Sequence, residues 1–335
     1  MLTGNLEKPG IVIVNYNSLA YVIEAVESIF SAEKIGERTR IVLVDNASTE
    51  HGFDEFEATI RQRFEAEFAV ARQAGHRLSI LDGCLGTAEI IIIQAGRNDG
   101  FAAGCNIGLR FLYETDTDFF LLLNPDTKLH HNTLKAFAAK LSSDSEYGLV
   151  GATLMNMRAG LGTQACGGAS LNPLSLLGCN LGAGLSLEEL PSEQEIEQQL
   201  SYPVGAAMAF RRDWLEYAGF MDERYFLYYE EADWSRIGRD KYKPGWARNA
   251  IVYHHHGAAA GSNLARQERS PLADYHMIRS RMQYALKWNK WIAPLIISLT
   301  CVQAIRRILR GQKEQARAVL LGGIPGADRA YQKHA

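Results

Sequence analysis

The sequence predicts an α/β fold built on a mostly parallel central sheet with helices on both faces. Three observations predict it. Short apolar runs recur: Ile11-Val12-Ile13-Val14, Ile41-Val42-Leu43-Val44, Ile90-Ile91-Ile92-Ile93 and Phe119-Phe120-Leu121-Leu122-Leu123. Runs that are apolar throughout suit strands covered on both faces. Stretches with helical periodicity lie between them, as in repeated β-α units. Each run also ends near Asn or Asp, where ligands bind in sheets of this kind.

Taken in order, the first strand is Ile11–Val14. Asn15-Tyr16-Asn17-Ser18 breaks it and caps a helix over Leu19–Phe30. The second strand ends in Asp45-Asn46-Ala47-Ser48-Thr49. Residues 51–87 read as a long, largely helical connection to the third strand, Ile90–Ile93. A helix over Phe101–Tyr113 follows, then the fourth strand, closed by Asn124-Pro125-Asp126, then a helix over His131–Leu141. The stretch Ala159–Gly184 is rich in Gly, Ser and Asn and reads as a mobile loop covering a site. Glu188–Glu197 reads as a solvated acidic helix face, and Ala250–Tyr253 as a strand.

The bulk properties narrow the function classes. A chain of 335 residues, 47% hydrophobic and 22% charged, has room for a sizeable core. A net charge of −3 gives no pull toward nucleic acid. Five cysteines, an odd number with no CxxC pair, argue against a disulfide framework or a zinc knuckle. The N-terminal residues lack the basic and apolar regions of a signal peptide, so the expected location is the cytoplasm. The longest apolar run, Trp291–Ile305, falls short of the ~20 residues that span a bilayer and contains Pro294, so no transmembrane helix is expected. From Tyr275 to Lys313 there are eight Lys or Arg and no Asp or Glu, with Trp288 and Trp291 among them. Two readings stand for this segment: peripheral contact with an anionic membrane, or a helical subdomain with its basic residues outside.

Four constellations carry chemistry. Asn124-Pro125-Asp126 places a carboxylate at a strand end, where it suits a Mg2+ or Mn2+ ion bridging two phosphates. As a bare tripeptide it is also an ordinary turn. Tyr225–Trp234 sets Glu230, Glu231 and Asp233 behind an aromatic run. Like charges held close raise a carboxyl pKa and make a proton acceptor, although an acidic first turn also suits a helix dipole. His254-His255-His256-Gly257 ends a strand. Neighbouring residues there point to opposite faces, so the three cannot all bind one ion, and one imidazole could join Asp126 on a metal. Asn98-Asp99-Gly100-Phe101-Ala102-Ala103-Gly104-Cys105-Asn106 opens a helix and suits an anion. It lacks the GxGxxG of a dinucleotide fold and follows a later strand.

In this order, these segments and Gly205-Ala206-Ala207-Met208-Ala209-Phe210-Arg211-Arg212 resemble the family-2 glycosyltransferases of the GT-A fold, nearest to bacterial rhamnosyltransferase and galactofuranosyltransferase-like enzymes. The resemblance covers about Pro9 to Ser262. It implies inverting transfer of a sugar, from a dTDP-rhamnose or UDP-sugar donor, to a hydroxyl of a glycan or lipid-linked acceptor in cell-surface polysaccharide synthesis. Asn15, Asn17, Asp45, Asn98, Asn106, Asn124 and Asp126 would then line the nucleotide-sugar site. Asp126 and His254 would hold Mg2+ or Mn2+, Glu231 would be the base, and Gly205 and Met208 would border donor sugar and acceptor. Two positions depart from the family pattern. Glu231 stands where the base is usually Asp, which leaves Glu230 and Asp233 as alternative bases. Asn124 stands at the first acid of the metal-binding DxD.

The domain reading that follows is a catalytic domain over 1–265, with a nucleotide half (1–126) and an acceptor half (127–265), and a helical extension over 266–335. A sugar nucleotidyltransferase is the rival enzyme, but it needs a basic Gly-rich loop straight after the first strand, and Asn15–Ser18 is not one. A non-catalytic nucleotide- or glycan-binding protein of the same fold is the other alternative.

Overall fold

The computed structural model describes residues 6–32, 39–64, 67–73, 76–85, 88–158, 160–255 and 269–324, and over 67–85 the backbone alone. Its strands are β1 (Pro9–Asn15), β2 (Thr39–Asp45), β3 (Glu67–Gln73), β4 (His76–Leu85), β5 (Ala88–Gln94), β6 (Phe119–Leu123), β7 (Thr127–Leu129), β8 (Tyr147–Asn156), β9 (Thr163–Cys166), β10 (Gly168–Leu171), β11 (Gly178–Asn180), β12 (Tyr202–Pro203), β13 (Ala207–Arg211) and β14 (Lys243–His254). Its helices are α1 (Leu19–Ser31), α2 (Phe53–Arg63), α3 (Phe101–Tyr113), α4 (Thr133–Ser143), α5 (Glu193–Glu197), α6 (Arg212–Ala218), α7 (Glu230–Ile237), α8 (Pro271–Trp288), α9 (Ala293–Leu309) and α10 (Lys313–Gly322).

One large sheet runs in the order β3-β4-β5-β2-β1-β6-β13-β8-β14-β7, with β9 paired to β8. The expected parallel arrangement holds for β5-β2-β1-β6. Beyond β6 the sheet is mixed, because β13 runs antiparallel to both β6 and β8. Alternation along β1 explains the layering. Ile11 and Ile13 pack with Val22, Val26 and Phe56 on one face. Val12 and Val14 pack with Cys105, Leu109 and Leu112 on the other. Each such side chain, fully buried, contributes roughly 1.5–3 kcal/mol, and a sheet so covered leaves its strand ends as the open polar edge.

Three expectations are corrected. Residues 51–87 are not largely helical: after α2 the backbone forms the hairpin β3-β4, which extends the sheet beyond β5. The alternation in Arg77-Leu78-Ser79-Ile80 is the strand period that a helical reading overlooks. Ala159–Gly184 is not simply loop, since β10 pairs with β11 and β12 in a small second sheet. Its glycines permit close strand approach there: a Cβ at Gly168 would run into the backbone of Tyr202. The acidic face of Glu188–Glu197 is only partly solvated, because Glu193 and Glu197 both hold Lys140, at 2.6 and 2.7 Å.

The C-terminal segment also differs from expectation. Together with a 3-10 turn (Lys290–Ile292), α9 forms a 20-residue helix over Lys290–Leu309, long and apolar enough by length and composition to cross a membrane. Pro294 lies in the first turn of α9, where its missing N–H costs nothing.

Candidate active site

The carboxyl ends of β1, β2, β6 and β14, the loop before α3 and the start of α7 supply the polar groups. β1 and β2 are in register, so Asn15 lies beside Asp45. The Asn15 amide donates to Asp45 Oδ1 at 3.0 Å and to Ser48 at 3.0 Å, and its carbonyl accepts from Ser18 N–H and hydroxyl. Ser48 donates to the same Asp45 oxygen at 2.6 Å. Asn17, in the left-handed region at φ 51°, accepts from the N–H groups of Thr49 and Glu50 and ties the β1 and β2 loops together. Asn46 donates to Asn98 Oδ1 at 2.9 Å and to the Gly100 carbonyl, linking β2 to the α3 loop. Gly100 has φ 95° and a Cβ there would strike the Phe226 backbone, so only glycine fits.

The β6 turn is built differently. Asp126 is buried, and its Oδ1 has no hydrogen-bond partner. His254 Nε2 faces that oxygen at 3.3 Å. The tautomer follows from Gln164: its amide NH2 donates to the His254 carbonyl at 2.8 Å, which leaves its oxygen to accept from His254 Nδ1 at 2.8 Å. Nδ1 therefore carries a proton, and Nε2 is the ring nitrogen that faces Asp126. A buried carboxylate oxygen without a hydrogen-bond partner, opposite an imidazole nitrogen, would suit a divalent cation as two protein donors. Among the described residues no third His, Cys, Asp or Glu completes a metal cluster with them.

The third part is the start of α7, entered through Tyr228 and Tyr229, both in the left-handed region at φ 68° and 69°. Two such non-glycine residues in succession store strain of about 1–3 kcal/mol each. Tyr229 is held by its hydroxyl, which donates to the Leu176 carbonyl at 2.6 Å. This geometry turns Glu230 inward, where Oε2 is buried with no partner. Burial, and then the charge of Glu231, push the Glu230 carboxyl well above its ordinary range. Glu231 is half-buried and accepts the Gly205 N–H at 3.0 Å. Burial raises its pKa, and the backbone N–H groups on it oppose the rise. A Cβ at Gly205 would collide with the Glu231 carboxylate. The metal turn and the acid pair meet through one strand: Asn124 N–H donates to the Ala206 carbonyl at 2.9 Å, one residue after Gly205. A cavity of about 180 Å³ lies along α7, lined by Tyr202, Ala232, Arg236, Arg239, Tyr284 and Trp288 among others, and Glu231 itself is not in its wall.

No protein-family model matches the chain. Among relatives, the low-salt glycan biosynthesis hexosyltransferase Agl10 of Haloferax volcanii is 25% identical over 146 residues. That match spans 43% of this chain and 45% of Agl10, less than half of either. Solved structures align over nearly the whole chain. GalNAc-T7, crystallised with UDP, GalNAc and Mn2+, matches with a TM-score of 0.58 at 14% identity, over 98% of this chain and 58% of that one. TarS 1-349 of S. aureus with UDP-GlcNAc gives 0.53 at 13%, over 95% and 82%. The mannosyltransferase PcManGT of Pyrobaculum calidifontis with GDP-Man and Mn2+ gives 0.52 at 13%, over 98% and 75%. The fold is that of the GT-A glycosyltransferases.

Within the GT-A frame, the residues expected from the sequence divide. Asn15, Asn17, Asp45 and Asn98 gather at one strand edge. Asn124, Asp126, His254, Glu230 and Glu231 gather along the β6–β13 edge. Two belong elsewhere. Asn106 is fully buried, exchanges hydrogen bonds with the Met221 backbone and donates to the Glu223 carboxylate at 2.9 Å, so its side chain is spent on the segment before the Tyr225–Trp234 run. Asp233 accepts from Tyr225 and Trp288 on one oxygen and from Lys287, at 2.6 Å, on the other. It anchors α8 and leaves no oxygen free for an acceptor proton. His256 and Gly257 lie outside the described residues. Sequence reasoning missed Gln164, and it placed Asn46 and Ser48 in the polar turn after the second strand without a role of their own. Gln164 sits in the stretch read as loop, and no local pattern marks it.

Proposed function

We propose that the protein is an inverting glycosyltransferase that moves a sugar from a nucleotide-diphosphate donor to an acceptor hydroxyl. The observation that carries the reading is the juxtaposition, through β6 and β13, of the Asp126–His254 pair with the Glu231 carboxylate. Glu231 accepts the proton of the acceptor hydroxyl as that oxygen attacks the anomeric carbon. Gly205 N–H fixes the carboxylate for that step, and the buried Glu230 keeps it from turning inward. Asn15, Asp45, Asn46 and Asn98 give the nucleotide a preformed polar edge, with little ordering left to pay for on binding. Asp126 and His254 would hold Mg2+ or Mn2+, which would supply positive charge against the departing diphosphate. The ligands of the similar solved structures, UDP-GlcNAc, GDP-Man, UDP and Mn2+, support this donor class.

The cavity along α7, which begins one residue after Glu231, suits the acceptor, a glycan or lipid-linked hydroxyl, with aromatic walls for a sugar face and Arg236 and Arg239 for an anionic group. A dTDP-rhamnose donor and a role in cell-surface polysaccharide synthesis in the cytoplasm are the finer form of the reading. Thermal-shift titration with UDP-, dTDP- and GDP-sugars, with and without Mn2+, tests it. Stabilisation by one nucleotide class, strengthened by Mn2+, is expected. No stabilisation by any of them would overturn the reading.

A further inference from the structure

The outer face of α9 is more apolar than its inner face. The inward line is Ile292, Ile296, Thr300 and Ala304, all buried. The outward line is Trp291, Leu295, Val302, Ile305 and Leu309, all exposed, with Trp291 84% and Leu309 81% accessible. At about 100° per residue these five fall within about 40° of a single line. A water-facing helix carries its large apolar residues inward, so this helix is built for a second apolar medium.

The charges around the stripe identify that medium. Lys290, Arg306, Arg310 and Lys313 border it or follow it closely, and none has a carboxylate partner among the described residues. Lys290 lies over the Trp291 ring at 5.4 Å, an amphipathic pairing suited to a headgroup layer. A symmetric second copy would set these cations against themselves. We infer that the outward face of α9 docks on the surface of an anionic phospholipid bilayer, apolar stripe in the acyl boundary and cations at the headgroups.

The helix lies on the bilayer and does not cross it, because its inner face is bonded to the protein. Arg281 donates to Thr300 at 3.1 Å, and Arg307 pairs with the buried Asp274 at 2.7 Å. Crossing would strip both contacts and leave the charges in hydrocarbon. Trp288, Asn289 and Ile292, just before and at the head of α9, also wall the cavity along α7. Docking brings that cavity to the headgroup layer, where a lipid-linked acceptor presents its sugar; this consequence rests on the glycosyltransferase reading, whereas the docking does not.

Co-sedimentation of the full chain with phosphatidylcholine vesicles, with and without phosphatidylglycerol, tests the inference. The chain binds the phosphatidylglycerol vesicles only, and added salt weakens the binding. The pairs Ile305→Ser with Leu309→Ser, and Arg306→Glu with Arg310→Glu, each lower partitioning about tenfold or more while the melting curve by circular dichroism is unchanged. Equal binding to both vesicle types, or to neither, overturns it. So does a concentration-dependent dimer that the serine pair abolishes, which makes the face a contact between copies, or release by detergent alone, which makes the helix a span. Donor turnover in solution is read separately, so failure of one reading leaves the other standing.

Discussion

The two polar edges of the site are satisfied in opposite ways. On one edge, the side of the proposed donor, Asn15, Asn17, Asp45, Asn46, Ser48 and Asn98 bond to one another and to backbone, and none of their fully buried side-chain atoms lacks a partner. On the catalytic side, Asp126 Oδ1 and Glu230 Oε2 are buried with none. An unpartnered buried oxygen costs about 1–3 kcal/mol or more. The first edge is a shaped surface that stays the same whether or not it is filled. The second is held at high energy until a proton or a cation satisfies it. In the proposed function, binding falls to the satisfied edge and chemistry to the unsatisfied one.

The largest effect falls on the carboxylate that faces the acceptor. Glu231→Gln keeps the shape and the Gly205 contact region but removes the proton acceptor, so sugar transfer and slow donor hydrolysis fall about 10²–10⁴-fold with nucleotide affinity unchanged. Asp233→Asn is the counterpart. It weakens the bond to Lys287, which is about a quarter exposed, and costs about 2 kcal/mol of stability while turnover persists. Turnover assays beside thermal melts separate the two. A collapse of turnover in Asp233→Asn without a fall in melting temperature would move the base from Glu231.

How much of this the sequence discloses follows the same division. The parallel strands are legible because burial on both faces writes continuous apolar runs, and their polar ends are legible because turns require small polar residues. Asp126, His254 and Glu231 could be singled out because each closes or follows such a run. Asn106 misled because it lies in the same segment as Asn98 yet faces the core, eight positions on and inside α3. The β3-β4 hairpin was hidden by its short, mixed strands. Gln164 was invisible for a stricter reason: its partner is 90 residues away, and only folding brings them together.

Gln164 therefore gives a sharper test of the unsatisfied edge than Asp126 itself. Asp126→Asn removes a ligand and should abolish any Mn2+ dependence of nucleotide binding. Gln164→Ala leaves both ligands in place but frees the His254 ring to rotate and change tautomer. The expected loss is about 10–100-fold in Mn2+ affinity, measured by titration calorimetry in the presence of nucleotide, with metal-free nucleotide binding unaltered. Equal Mn2+ affinity in wild type and Gln164→Ala would show that the imidazole is not a ligand.

The smallest effect is a change of slope, and its sign is fixed by Glu230. Its carboxyl is raised in the folded protein by burial and by Glu231, while in the unfolded chain it titrates near 4.5. The folded state thus binds the extra proton, and stability that is full below about pH 4.5 is lost as pH rises through the folded value. Glu230→Gln replaces the protonated acid by a neutral group of the same shape. The variant should melt at a temperature that falls less with pH above 4.5 than the wild type, by up to about 1.4 kcal/mol per pH unit where the proton is being lost. Below that window the two curves should run together. Because Glu231 is also raised, some slope persists in the variant, and the double variant Glu230→Gln with Glu231→Gln should flatten it further. Parallel curves for all three proteins would mean that the buried edge is not held at high energy, and the contrast with the donor side would lose its basis.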